Sequence, residues 1–270
     1  MNPAHALTPI LDLPEDQIAI RLRGIANRFG KVTIHENLDL DVMRGETIGI
    51  VGGSGTGKSV LMRGIIGLRQ PSEGQVHVLG YNVWSGDAGQ RQALDSKWGV
   101  MFQDGALFSN LTVHENVLVP ISEHTNLPKS LASEIADLKI LMAGLPLSSA
   151  HKLPSELSGG MRKRAALARA IALDPDILFL DEPTAGLDPI TAGRFDELVN
   201  ELKETLGLTI FLITHDLDTL RDACDRVAAL AEGRVIAIGP LDYLRQHATG
   251  WLAEYFGGPR GRAALGLVGG

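Results

Sequence analysis

The sequence predicts an α/β fold. Its core is a parallel sheet built around a phosphate-binding loop (P-loop), with an antiparallel β subdomain and an inserted α-helical subdomain. Three observations carry this. The continuous apolar run TIGIVG (47–52) feeds GGSGTGKS (52–59), which fits G-x-x-x-x-G-K-[ST] without a mismatch, and then the helical stretch SVLMRGIIGL (59–68). ILFLDEP (177–183) and TIFLITH (209–215) are apolar runs whose polar residues come last; in open parallel sheets that end faces the ligand crevice. IAIRLR (18–23) and LDLDV (38–42) alternate apolar and polar residues, as antiparallel strands with one wet face do.

Taken in order, residues 1–17 hold spaced prolines and no clear period, and are expected to form a loose arm. The main domain is placed at 18–245. After the P-loop helix, GQVHVLG (74–80) and WGVMF (98–102) are further strand candidates. Strand signals then fade, and the helical subdomain is placed at about 104–160. Within it, Thr112 and Glu115 form a T-x-x-E capping box. Leu131, Ile135, Leu138 and Leu141 recur at helical spacing, with Gly144 as a C-terminal stop. MRKRAALARAIAL reads as a helix ended by Asp174-Pro175. RVAALAEGRVIAIG (226–239) reads as a hairpin turning near Glu232-Gly233. Residues 246–270 are taken as a tail, Gly-rich from 257 and expected to be poorly ordered.

Composition bounds the function. A chain of 270 residues, 44% hydrophobic and 21% charged, suits one large domain or a core with a sub-domain. The net charge of −7 argues against broad electrostatic attachment to nucleic acid or anionic lipid. A single cysteine, Cys224, excludes an intrachain disulfide. No secretory signal is expected from the first residues. No apolar run reaches about 18 residues, so no membrane span is expected.

The chemistry-bearing residues sit at the strand ends. In the loop Gly52, Gly53, Ser54, Gly55, Thr56, Gly57, Lys58, Ser59, the glycines let the backbone curl and aim its N–H groups at phosphates. Lys58 brings a point charge to the β/γ-phosphates, and the Ser59 hydroxyl can ligate Mg²⁺. Asp181 can hold the Mg²⁺ shell, and Glu182 can polarise water for attack on the γ-phosphate. His215 either contacts the γ-phosphate, or orients Glu182, or caps the helix that follows. Gln103 either meets the attacking water and Mg²⁺ or is a plain surface residue. Phe29 either stacks on adenine or packs in the core, and the residues alone favour packing. A second anion cradle, Ser158 with Gly159 and Gly160, opens the helix in LSGGMRKRAALARA (157–170). It is either a simple helix cap or a clamp on the γ-phosphate held by a second copy. In the latter case two chains pack head to tail around two ATP molecules.

These motifs, with AGLD (185–188), follow the order and spacing of an ABC-transporter ATPase subunit, and the resemblance covers about residues 18–245. It implies a RecA-like core, ATP and Mg²⁺ as ligands, and head-to-tail dimerisation. It implies catalytic roles for Glu182, His215 and Gln103, and Mg²⁺ contacts from Ser59, Gln103 and Asp181. Phe29, the 52–59 loop, Ser158, Gly159, Gly160 and Asp188 become nucleotide contacts, Asp188 in the loop between subunits. Met161 departs from the pattern, standing where many members carry Gln. The stretches 102–128 and 153–176 are similar to the ATPases of Mla/Mce-type lipid transport systems. That likeness implies phospholipid traffic between bacterial membranes, a transmembrane permease, an Mce-type lipid-binding partner, no nucleic acid, and a place on the cytoplasmic face of the inner membrane. The rivals are an ATPase serving an importer of amino acids or another small solute, and a soluble ABC ATPase acting on nucleic acid or the ribosome. A P-loop kinase would leave LSGG unexplained. Leu107, Phe108 and Leu111, in the polar stretch 104–118, either line a groove for a permease helix or pack inside the insertion.

Overall fold

The computed structural model describes residues 9–86 and 88–258. The chain order is β1 (Ile18–Phe29), β2 (Val32–Met43), β3 (Thr47–Gly52), α1 (Lys58–Ile65), β4 (Glu73–Val78), β5 (Tyr81–Asn82), α2 (Ala88–Asp95) and β6 (Trp98–Met101). It continues through α3 (Val113–His124), α4 (Lys129–Met142), α5 (Gly159–Ala170), β7 (Ile177–Asp181), α6 (Pro189–Leu206) and β8 (Thr209–Ile213). It ends with α7 (Leu217–Ala223), β9 (Arg226–Ala231), β10 (Arg234–Gly239), α8 (Leu241–Gln246) and α9 (Gly250–Gly257). The chain divides into two compact units: residues up to Arg91 with those from Phe211 onward, and Gln92–Ile210. The fold is the expected one, an α/β P-loop core with an antiparallel β subdomain and an inserted helical subdomain.

In the first unit, β2-β1-β4-β5 form the antiparallel sheet. Ile20 pairs with Val42 and Leu22 with Leu40, and all four are buried. The N-terminal arm differs from expectation from Pro9 onward, because it is tied down. Leu11 is buried, its N–H donates to the Asp41 carboxylate (2.8 Å), and the Asp41 N–H donates to the Pro9 carbonyl. Asp41 is itself fully buried and is held by Arg21 and Arg23, which offsets its desolvation. The other sheet of this unit runs β10-β9-β3-β8, with β3 and β9 parallel. Every residue of β3 before Gly52 is buried, as the continuous apolar run demands. The β9–β10 hairpin turns on Glu232 (φ 52°) and Gly233 (φ 74°), both left-handed, as a tight two-residue turn between twisted strands requires. Part of the expected tail is ordered: α9 buries Leu252 and Phe256 against Leu217, Leu220, Leu241 and Leu244. Residues 259–270, the rest of that tail, lie outside the described residues, as do residues 1–8 of the arm.

In the second unit, β6 and β7 are parallel, with Met101 opposite Leu180. Helices α3, α4 and α5 pack on one another. The capping box of α3 is formed in both directions: Glu115 N–H donates to the Thr112 hydroxyl, and the Glu115 carboxylate accepts from Thr112 N–H (2.8 Å). That backbone bond holds the Glu115 carboxyl below the usual carboxylate range. α4 forms as expected, but not on the expected face. It buries Ala132, Ala136, Lys139 and Ile140, while Leu131, Leu138 and Leu141 are 42%, 53% and 50% exposed. Alanines let the helices approach closely. The buried Lys139 is compensated by pairing with Asp174.

Candidate functional site

The first unit carries the P-loop. β3 delivers the chain into it and α1 leaves it. Gly57 caps α1 in the left-handed region (φ 87°), and a Cβ there would lie 2.3 Å from Ile34 Cγ2 and 2.6 Å from His35 Nε2. Only glycine fits both constraints. The Lys58 ammonium donates to the carbonyls of Gly52 (2.7 Å) and Gly53 (3.2 Å), and Thr56 Oγ1 donates to Gly53 (2.9 Å). His35, fully buried, donates from Nε2 to the Thr56 carbonyl (3.1 Å), since a carbonyl only accepts. Its Nδ1 therefore accepts from Asn27 Nδ2 (3.0 Å). Burial pushes the His35 pKa below its ordinary value, against the opposing effect of the Thr56 bond. Sequence reasoning missed His35, because a lone imidazole on a strand carries no motif.

Phe29 is not in the core. It ends β1, is 41% exposed, and has the Arg69 guanidinium 3.6 Å above its ring. It lines a 340 Å³ groove with Ile34, Gly55, Gly57, Lys58 and Ser59. An aromatic face beside an anion-binding loop suits a nucleotide: the ring takes a base, the loop takes phosphates. His215 follows β8 and is exposed. It is not the cap of α7, because Asp216 fills that role, accepting from Asp218 N–H (2.9 Å). The His215 carbonyl accepts from the Tyr255 hydroxyl of α9 (3.1 Å).

The second unit carries the other candidate residues. Asp181 is the buried last residue of β7. Glu182 follows with φ 49°, a left-handed conformation that costs a non-glycine residue roughly 1–2 kcal/mol. Gln103 is exposed, two residues beyond β6. Lys163, in α5, donates to the carbonyls of both Gln103 and Glu182. Ser158 is the N-cap of α5, its hydroxyl accepting from Met161 N–H (3.3 Å). Gly160 leaves room for Thr191, whose Cγ2 would lie 2.9 Å from a Cβ. Asp188 is the N-cap of α6 and accepts from Thr191 N–H (3.0 Å) and Oγ1 (2.6 Å), which hold its carboxyl below the usual range. A 360 Å³ pocket brings together Gln103, Asp104, Gly159, Lys163 and the 185–187 turn.

Among the described residues no three His, Cys, Asp or Glu side chains are grouped to hold a metal. Of the expected donors, Asp181 in the second unit offers a buried carboxylate, the hard oxygen donor that suits Mg²⁺, an ion that keeps several waters and binds through one or two carboxylates and substrate phosphates.

A third feature lies within the helical subdomain. Phe108 is 48% exposed, while Leu107 and Leu111 are half-buried. Asn116 pins this loop, accepting from Phe108 N–H (2.8 Å) and donating to the carbonyls of Phe108 (3.1 Å) and Leu111 (3.0 Å). Phe108 lines a 320 Å³ groove with Trp98, Val119, Pro120 and Arg169.

A family model described as "ABC transporter" matches residues 35–185, more than half of the chain. The chain belongs to the ABC transporter family. It is an ATP hydrolase of the ABC type, and its motifs are those of the ATP-binding subunit. The ABC relatives include the "Intermembrane phospholipid transport system ATP-binding protein MlaF" of Haemophilus influenzae, 38% identical over 231 residues, 86% of this chain and 87% of that one. They also include the "Probable ribonucleotide transport ATP-binding protein mkl" of Mycobacterium leprae, 35% identical over 90% of this chain and 70% of that one. Among solved structures, the ABC cassette MJ0796, a dimer in a post-hydrolysis state bound to ADP and Pi, aligns with a TM-score of 0.76 at 30% identity. That alignment covers 82% of this chain and 98% of the cassette.

Proposed function

We propose that this chain powers phospholipid transport between bacterial membranes, working as a head-to-tail dimer on a membrane permease. The observation that carries this reading is the extent of the likeness to the phospholipid-transport relative. It runs over 86% of this chain and 87% of that one, far beyond the nucleotide motifs.

In this reading the P-loop N–H groups and Lys58 hold the triphosphate, and Phe29 takes the adenine face. Ser59, Asp181 and Gln103 hold Mg²⁺, which when bound offsets charge on the transferring phosphoryl oxygens. Glu182 accepts a proton from the attacking water, and His215 contacts the γ-phosphate. Ser158, Gly159, Gly160 and Asp188 act on the nucleotide bound by the second copy. The Phe108 groove receives a permease helix, and this grip keeps the subunit on the cytoplasmic face of the inner membrane. No helix among the described residues is long and apolar enough to cross a membrane. An Mce-type protein completes the lipid path.

Deleting the gene tests the cargo. The expected result is a weakened outer-membrane barrier, read as detergent sensitivity, with growth on single amino acids or sugars unchanged. An intact barrier with a specific solute-uptake defect would overturn the lipid assignment and leave the ATPase standing.

A further inference from the structure

Lys163 is one of few charged side chains buried among the described residues, 8% exposed on α5. A buried ammonium without partners is costly, so its hydrogen bonds define its place. Its ammonium donates to two main-chain carbonyls, those of Gln103 and of Glu182 (3.1 Å). These two carbonyls belong to the turns that leave β6 and β7, which are parallel neighbours with Met101 opposite Leu180. One ammonium therefore bridges two turns that emerge side by side. Hydrogen bonds from a charged donor are about twice as strong as neutral ones. They fall where the backbone most needs holding, because Glu182 sits at φ 49° with no glycine to relax it. Strain of this kind persists only where the surroundings over-determine the conformation. Burial pulls the Lys163 pKa down, while the carboxylates of Asp104, Glu182 and Asp181 oppose that effect.

We propose that Lys163 is a positioning residue for ATP hydrolysis, holding the Glu182 and Gln103 main chains in the one arrangement that aims their side chains at the reacting water. This rests on reading Glu182 as the base. The Lys163 ammonium is engaged by the main-chain carbonyls of Gln103 and Glu182. It acts through the backbone of these two residues, and it links the helix opened by Ser158 to both of them. Triphosphate binding by the P-loop does not depend on it, so its loss falls on turnover and not on affinity.

The test compares Lys163→Met, Lys163→Arg and Glu182→Gln in the full chain, with kcat, KM for ATP and thermal midpoint measured for each. Lys163→Met keeps side-chain length without a donor. It is expected to lower kcat about tenfold or more with KM changed less than about twofold, in line with the cost of a small misplacement of catalytic groups. Lys163→Arg, which keeps a cation and its donors, is expected to recover most of that loss. If Lys163→Met does not fold, Lys163→Gln is read in the same way. Unchanged kcat in the Met variant overturns the proposal, as does a fall in kcat matched by loss of ATP affinity and thermal midpoint with no recovery by Arg. Undiminished turnover in Glu182→Gln would instead overturn the base assignment, so the two failures are told apart.

Discussion

Replacing His35 by Leu should loosen the P-loop and remove a pH-dependent contribution to stability. The substitution removes the donor to Thr56 and the acceptor for Asn27. Asn27 is 1% exposed, so its amide is left buried and unpaired, at a cost of about 1–3 kcal/mol. The lost bond to the Thr56 carbonyl adds about 0.5–1.5 kcal/mol. The apolar leucine returns part of this, leaving a net destabilisation of about 2–3 kcal/mol at pH 8. The sign with pH follows from the lowered pKa. The unfolded chain takes up the proton at about 6.5, the folded chain only at lower pH. The contribution from neutral His35 is therefore fully present above about pH 6.5 and is lost as pH falls through the folded-state value. Urea unfolding of both proteins from pH 8 to pH 5 measures it: the gap between them should be widest at pH 8 and narrow toward pH 5. Nucleotide affinity should fall in parallel, since the Thr56 carbonyl belongs to the phosphate cradle. A leucine variant as stable as the parent at pH 8, or a gap constant across the range, would refute the reasoning.

Three further outcomes are expected. Glu182→Gln should keep ATP binding and abolish turnover, with light scattering in ATP and Mg²⁺ showing a larger species; normal hydrolysis would remove Glu182 from its role. Lys58→Ala and Ser158→Arg should each silence both sites of a homodimer, while an equal mixture should regain partial nucleotide occupancy at the one intact interface. Normal hydrolysis by either variant as an isolated monomer would end the interfacial model. Phe108→Asp should loosen permease binding and uncouple transport while the isolated subunit still binds nucleotide; co-purification from detergent-solubilised membranes reads the first, and wild-type recovery would make the groove a bystander.

The strands and the P-loop were legible because each is local. A buried strand feeding a glycine loop writes its pattern in consecutive residues, as TIGIVGGSGTGKS does. The register of α4 was not, because two faces compete there. Leucine outweighs alanine in any apolar count, yet close helix packing selects Ala132 and Ala136 and turns Leu131, Leu138 and Leu141 outward. Phe29 was ambiguous for a related reason, since an aromatic ring suits a core and a base equally well. His35 and Lys163 were illegible. Their roles come from carbonyls 21 residues and 60 or 19 residues away in the chain, and no spacing rule spans such separations. For His215 the structure decided one point alone, that the capping of α7 belongs to Asp216.

The last helix gives the molecule its own optical gauge. Trp251 of α9 sets its indole nitrogen 3.8 Å from where a Cβ on Gly53 would stand, and its ring stacks on Tyr255 at 5.1 Å. Tyr255 in turn holds the His215 carbonyl. An indole so placed feels any change in field or contact at the phosphate cradle, and its neighbour reports on the histidine turn. With Trp84 and Trp98 replaced by Phe, so that Trp251 is the one emitter left, its emission is expected to follow the arrival and departure of nucleotide in real time, with no dye attached.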